Sequence, residues 1–97
     1  MLDQEAFRKR FQKSPVKRAK RRGLLRNEAV SLGNWAHADA IPALSTGLND
    51  IEPLVRSHSA WALGSIHNER AKNELKKALL IEKNPNVLQE IETALYG

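Results

Sequence analysis

The chain is predicted to fold as an all-α solenoid of stacked helical hairpins, about six helices forming one domain across its 97 residues. Three observations carry that expectation. The sequence repeats itself: shifted by 31 positions, Ala29, Leu32, Gly33, Ala40, Leu44 and Leu48 fall on Ala60, Leu63, Gly64, Ala71, Leu75 and Leu79. Shifted by a further 32, Pro53, Val55, Ala62 and Leu63 fall on Pro85, Val87, Ala94 and Leu95. Inside each unit the apolar residues recur at helical spacing, and no segment sustains the alternation of a strand. A hairpin of this size cannot hide its apolar face alone, so neighbours must stack to make one continuous core.

Each element has its own punctuation. Residues 2–12 read as an opening helix, with Phe7 and Phe11 one turn apart and Glu5 facing Lys9. Ser14 before Pro15 reads as a helix start, the hydroxyl serving as N-cap and the proline ring preset for the first turn. The helix that follows spans 15–33 and turns Val16, Ala19, Leu24, Leu25, Ala29 and Leu32 inward. A bend is expected near Gly23, because an interior glycine costs about 1 kcal/mol relative to alanine. Asp39 is expected to cap a helix reaching residue 49 that buries Ile41, Leu44 and Leu48. Pro53 opens the next helix and Gly64 is its expected C-cap. Asn68 caps a helix to about residue 82, burying Ala71, Leu75, Ala78 and Leu79. Residues 85–96 close the array with Val87, Leu88, Ile91 and Leu95. The units are therefore an N-terminal helix over 1–13, a basic first repeat over 14–50, a second repeat over 51–82 and a closing helix over 83–97. Small residues at Ala29, Gly33, Ala60 and Gly64 let the helices approach closely.

Composition removes several functions. The chain has no cysteine, hence no disulfide, thiolate metal site, iron–sulfur ligand or thiol nucleophile. That absence fits a reducing cytosol, the expected location. A hydrophobic content of 41% argues against disorder, no apolar run approaches bilayer length, and no apolar leader follows the first charges. No membrane partner is expected. His37, His58 and His67 lack metal-ligand spacing, Ser14 has no base partner, and no glycine-rich phosphate loop is present. No catalytic or metal-binding residue is expected in this chain. Trp61 is read as a core residue, while Trp35 is open between core packing and base stacking. Arg56 is expected to form a structural ion pair with Asp50 or Glu52.

Charge is what points outward. The first 27 residues hold ten Lys or Arg against two acids, and the remaining 70 hold six against nine, so the formal +5 divides into +8 and −3. From Ala6 to Asn27 there is no negative residue. A segregated positive field of this kind meets a polyanion, and a nucleic acid backbone is the first expectation. On a continuous helix Arg18, Arg22 and Arg26 form one stripe, with Lys17 and Arg21 beside it and Lys20 close to the same surface.

Residues 14–34, SPVKRAKRRGLLRNEAVSLGN, followed by residues 53–64, PLVRSHSAWALG, resemble the C-terminal region of the epoxyqueuosine reductases. The second stretch alone is similar to many short HEAT-like repeats of the phycobilisome-lyase type. The resemblance implies a HEAT-like domain that holds the anticodon stem-loop of tRNA for reduction of epoxyqueuosine to queuosine. In that family a cobalamin-binding domain and a domain with two four-iron clusters do the chemistry, and no cofactor is implied for this chain. It then reads as the terminal domain alone, excised or stand-alone, with tRNA and the family's catalytic domains as partners. The residues matching the basic motif are Lys17, Arg18, Lys20, Arg22 and Arg26; Lys13 and Arg21 join them on charge alone. The competing expectation is a HEAT-like protein-interaction module whose basic flank grips an acidic partner.

Overall fold

The computed structural model describes residues 18–97, in which five α-helices follow one another: α1 (Arg18–Trp35), α2 (Ile41–Gly47), α3 (Pro53–Ile66), α4 (Glu69–Ile81) and α5 (Pro85–Tyr96). One turn of 3-10 helix, Ala38–Ala40, leads into α2. Among the described residues there is no strand, and the fold is the all-α repeat array that the periodicity implies. The expected opening helix over 2–12 and the start at Ser14 and Pro15 lie outside the described residues.

The helices form two layers. α1, α3 and α5 lie side by side, and α2 and α4 cover them from one side. The Cα frame measures 35 × 27 × 17 Å, and its thinnest dimension is that of two stacked helices. Repeat-equivalent residues occupy equivalent environments: Ala29 and Ala60, Leu32 and Leu63, Ala40 and Ala71, Leu44 and Leu75 are all fully buried, as are Val55 and Val87. The core is therefore one apolar seam between the layers, built from the same positions in each unit.

What sets the spacing within the first layer is the absence of side chains at two points. A Cβ on Gly33 would strike the Trp61 ring and come within 3.0 Å of Ala62 Cβ; one on Gly64 would lie 2.8 Å from Ala94 Cβ. Gly64 is thus a packing position inside α3, not its C-cap. The helix runs on to Ile66, and His67 takes the left-handed cap conformation at φ 52. Ala36, at φ 53, ends α1 in the same way two residues beyond the expected stop.

Other boundaries moved for identifiable reasons. Asp39 does not cap α2: it sits inside the 3-10 turn, where its N–H donates to His37 Nδ1 at 3.0 Å. Pro42 has no N–H to give, so α2 can begin only where proline falls in its first turn. Asn68 does cap α4, its side chain accepting from Ala71 N at 2.8 Å. Asn84 caps α5 in the same manner. Leu24 is 40% exposed instead of inward, one residue and hence about 100° of helix turn away from buried Leu25. Leu79 and Leu88 are half-buried at the edges of the seam.

Helix α1 passes through Gly23 as one continuous helix, and a Cβ there would meet nothing within 4 Å. Gly23→Ala should raise stability by about 0.5–1 kcal/mol through the unfolded-state entropy. Gly33→Ala should lower it by about 1–3 kcal/mol through overpacking. Urea unfolding of the two variants checks both signs.

Candidate nucleic-acid interface

The turns between hairpins decide which cations of α1 face solvent. Asp50, with a side chain only 3% exposed, lies in the turn before α3. Its Oδ2 accepts the Glu52 N–H at 2.9 Å, which closes the turn and aims the carboxylate at α1. Arg21 answers with both guanidinium nitrogens, Nη2 donating to Oδ1 at 2.5 Å and Nη1 to Oδ2 at 3.2 Å. The hydrogen bond to Asp50 outweighs the effect of burial and raises the guanidinium above its ordinary value. Arg21 therefore points inward, against the expectation that the cations of this helix all face out.

Arg22 and Arg26 remain outside. Arg22 is about half exposed and lies 3.9 Å from Glu52 Oε2. Arg26 is exposed and donates to the Asn27 side chain, at 3.2 Å from Nη2. Four residues apart, they stand on one flank of α1, and the next step along that flank is Val30. Lys20 is exposed too, but six positions from Arg26 puts it about 120° around the helix axis, on another flank. Arg18 is the first residue of α1. Lys13 and Lys17 fall outside the described residues.

Arg56 holds the second turn as Arg21 holds the first, with a partner the sequence reading did not name. Its Nε and Nη2 donate to the two Glu82 oxygens at 2.8 and 3.1 Å, and its Nη1 donates to the carbonyls of Asp50 and Ile51. The expected partners were Asp50 or Glu52. Asp50 is already taken by Arg21, and the guanidinium reaches past it to the acid one repeat on. Burial pushes the Glu82 carboxyl up, but hydrogen bonds from Arg56 and from the Asn84 and Lys83 backbone outweigh this and hold it below the usual carboxylate range.

Beside the Arg22–Arg26 flank runs a feature the sequence reading missed. Trp61, taken for a core residue, is 36% exposed on the outer side of α3. It lines two open grooves, one of about 320 Å³ with Val30, Ser57, His58 and Glu90, the other of about 350 Å³ reaching Tyr96. These volumes sit at the low end of small-ligand sites. A shift of 31 lays Trp61 on Val30, which the structure leaves half-exposed beside buried Ala29. His58 is fixed in place, its Nδ1–H donating to the Leu54 carbonyl at 2.9 Å. Trp35 is half-buried against the core and stacks on His37, with ring centroids 4.8 Å apart. Among the described residues no group of three or more His, Cys, Asp or Glu side chains is placed to hold a metal ion. No helix among them is long and apolar enough to cross a membrane.

Two layers of repeated hairpins with arginine-locked turns define the class, and the comparison agrees: residues 18–95 match the family of HEAT repeats, so the chain belongs to the HEAT-repeat proteins. Among curated proteins it is 36% identical over 73 residues to an epoxyqueuosine reductase of Bacillus anthracis, covering 74% of this chain and 19% of that one. A second epoxyqueuosine reductase, from Xanthomonas campestris, is 40% identical over 62 residues, 63% of this chain and 18% of that protein. It is also 43% identical over 75 residues to a deoxyhypusine hydroxylase of Arabidopsis thaliana, 74% of this chain and 24% of that one. The chain thus spans no more than about a quarter of these relatives. No solved structure matches it.

Two arginines of α1 should differ sharply in what they contribute to stability. Arg21→Gln strands buried Asp50 and should cost about 2–4 kcal/mol of stability. Arg26→Gln should stay within about 0.5 kcal/mol of the parent in the same urea series.

Proposed function

We propose that this chain is a tRNA-binding accessory domain of an epoxyqueuosine reductase, holding the anticodon stem-loop while other domains reduce epoxyqueuosine to queuosine. The observation that carries the reading is the solvent-facing Arg22–Arg26 flank on a helix locked by Arg21. It stands in the segment where the chain's positive charge is concentrated, and the likeness to epoxyqueuosine reductases covers 74% of the chain. Cations on a rigid helix meet successive phosphates without reorganising, and phosphate contacts of this kind position an RNA without reading its sequence. Arg18, and Lys13 and Lys17 before it, would extend the contact along the backbone. The reduction itself belongs elsewhere. With no cysteine the chain offers no thiolate to an iron–sulfur cluster. It acts as the non-enzymatic part of a cytoplasmic oxidoreductase.

One observation favours a second reading. Ile51 and Ile81 flank the Arg56–Glu82 pair, 75% and 66% exposed, and neighbouring Leu80 is 86% exposed. An apolar edge of that kind suits a protein surface, including the catalytic domains of the same polypeptide.

Titration of a labelled anticodon stem-loop at two salt concentrations decides between them. With about four phosphates engaged, log Kd should change with log salt at a slope of roughly 3. Arg26→Glu should weaken binding several-fold while the helical melt stays unchanged. No binding at low salt would leave the protein-docking reading in possession.

A further inference from the structure

On a surface of close-packed helices, Trp61 keeps part of its indole in solvent. Trp61 lies where a Gly33 side chain would have been, so α1 supports the ring from one side, and it remains 36% exposed. A ring held in that way loses little freedom when something stacks on it. The two grooves that meet at Trp61 share one further residue, Glu90 of α5, and together they make a furrow from Val30 to Tyr96, itself 71% exposed. Val30 is one helical turn beyond Arg26 on α1, so the furrow starts where the cationic flank ends.

We infer that this furrow seats an unpaired nucleobase of the bound RNA, stacked on Trp61 with its hydrogen-bonding edge toward Glu90, while Arg22 and Arg26 hold the adjoining phosphates. The inference rests on the RNA-binding reading above. Glu90 sets the orientation: a carboxylate accepts and never donates, and it repels phosphate, so the backbone stays on the arginine side and the base edge turns inward. It also sets a preference. Guanine offers its N1–H and its exocyclic amine to the two carboxylate oxygens, whereas uracil offers a single N–H between two carbonyls. His58, its Nδ1–H already committed to Leu54, presents Nε2 as an acceptor in the neutral imidazole. Tyr96 provides a second ring for the next base. Aromatic platforms beside a cationic track are how unpaired strands are held.

The whole chain is titrated with labelled UUGUU, UUUUU and an anticodon stem-loop. In a Trp35→Phe background Trp61 is the sole tryptophan, since the sequence has two. Its emission should be quenched as UUGUU binds. Trp61→Leu should weaken UUGUU roughly 5- to 150-fold, the range that stacking of one base implies. Glu90→Gln should shrink the preference for UUGUU over UUUUU. Stem-loop binding that persists with Trp61 emission unquenched, or with Trp61→Leu as tight as the parent, overturns the base seat and leaves the RNA reading standing. Failure of every RNA to bind at low salt overturns both.

Discussion

Helices α1, α3 and α5 touch at Gly33 and Gly64, where there is no room for a Cβ, and the spacing of that layer follows from this contact. Close approach there fixes the distance between neighbouring units. It lets the apolar seam fill with small and branched residues from equivalent positions, and it brings the Trp61 ring against α1 at Gly33. A bulkier residue at either point would force the helices apart and loosen the seam along its length.

Distance alone leaves each helix free to rotate about its axis, and the two ion pairs remove that freedom. Asp50 grips Arg21 and Glu82 grips Arg56, in both cases an arginine reaching to the acid of a following inter-hairpin turn. Each pair is largely buried, so breaking one strands a charge, which makes it a strong orienting device even where its net contribution to stability is small. With Arg21 pinned inward, helix geometry alone sends Arg22 and Arg26 toward solvent beside α3. One arginine of the basic run thus acts as the fastener that presents the others. The run is therefore only partly a binding surface: its members separate into an internal anchor, an outward flank toward α3, and Lys20 on a different side.

The repeat was legible in the sequence because core positions tolerate so few residue types. Ala29 with Ala60 and Leu44 with Leu75 are recognisable at a shift of 31, since burial imposes the same size on both. Helix starts at Pro53, Asn68 and Pro85 were legible too, because caps and first-turn prolines act locally. What sequence spacing did not resolve was everything that depends on a neighbouring hairpin. Gly64 looks like a helix end until Ala94 is seen against it. Arg56 had two acids close by in sequence, yet its partner is Glu82 from the next repeat. Arg21 and Arg22 are indistinguishable as letters, and only the position of Asp50 separates them. Trp61 fits an apolar pattern by type, while its place opposite Gly33 puts it at the surface. Lys13 and Lys17, and the helix proposed before them, lie where the structure describes nothing.

An RNA held as proposed must touch one side of one layer: the outer flank of α1, the outer face of α3 and the Glu90 side of α5. Amide chemical-shift mapping of the chain with an anticodon stem-loop measures this directly. Perturbations should form a continuous patch over Arg22, Arg26 and Val30 and across to Ser57 and Trp61, with α2 and α4 silent. A patch centred on Ile51, Leu80 and Ile81, or spread evenly over both layers, would contradict the account.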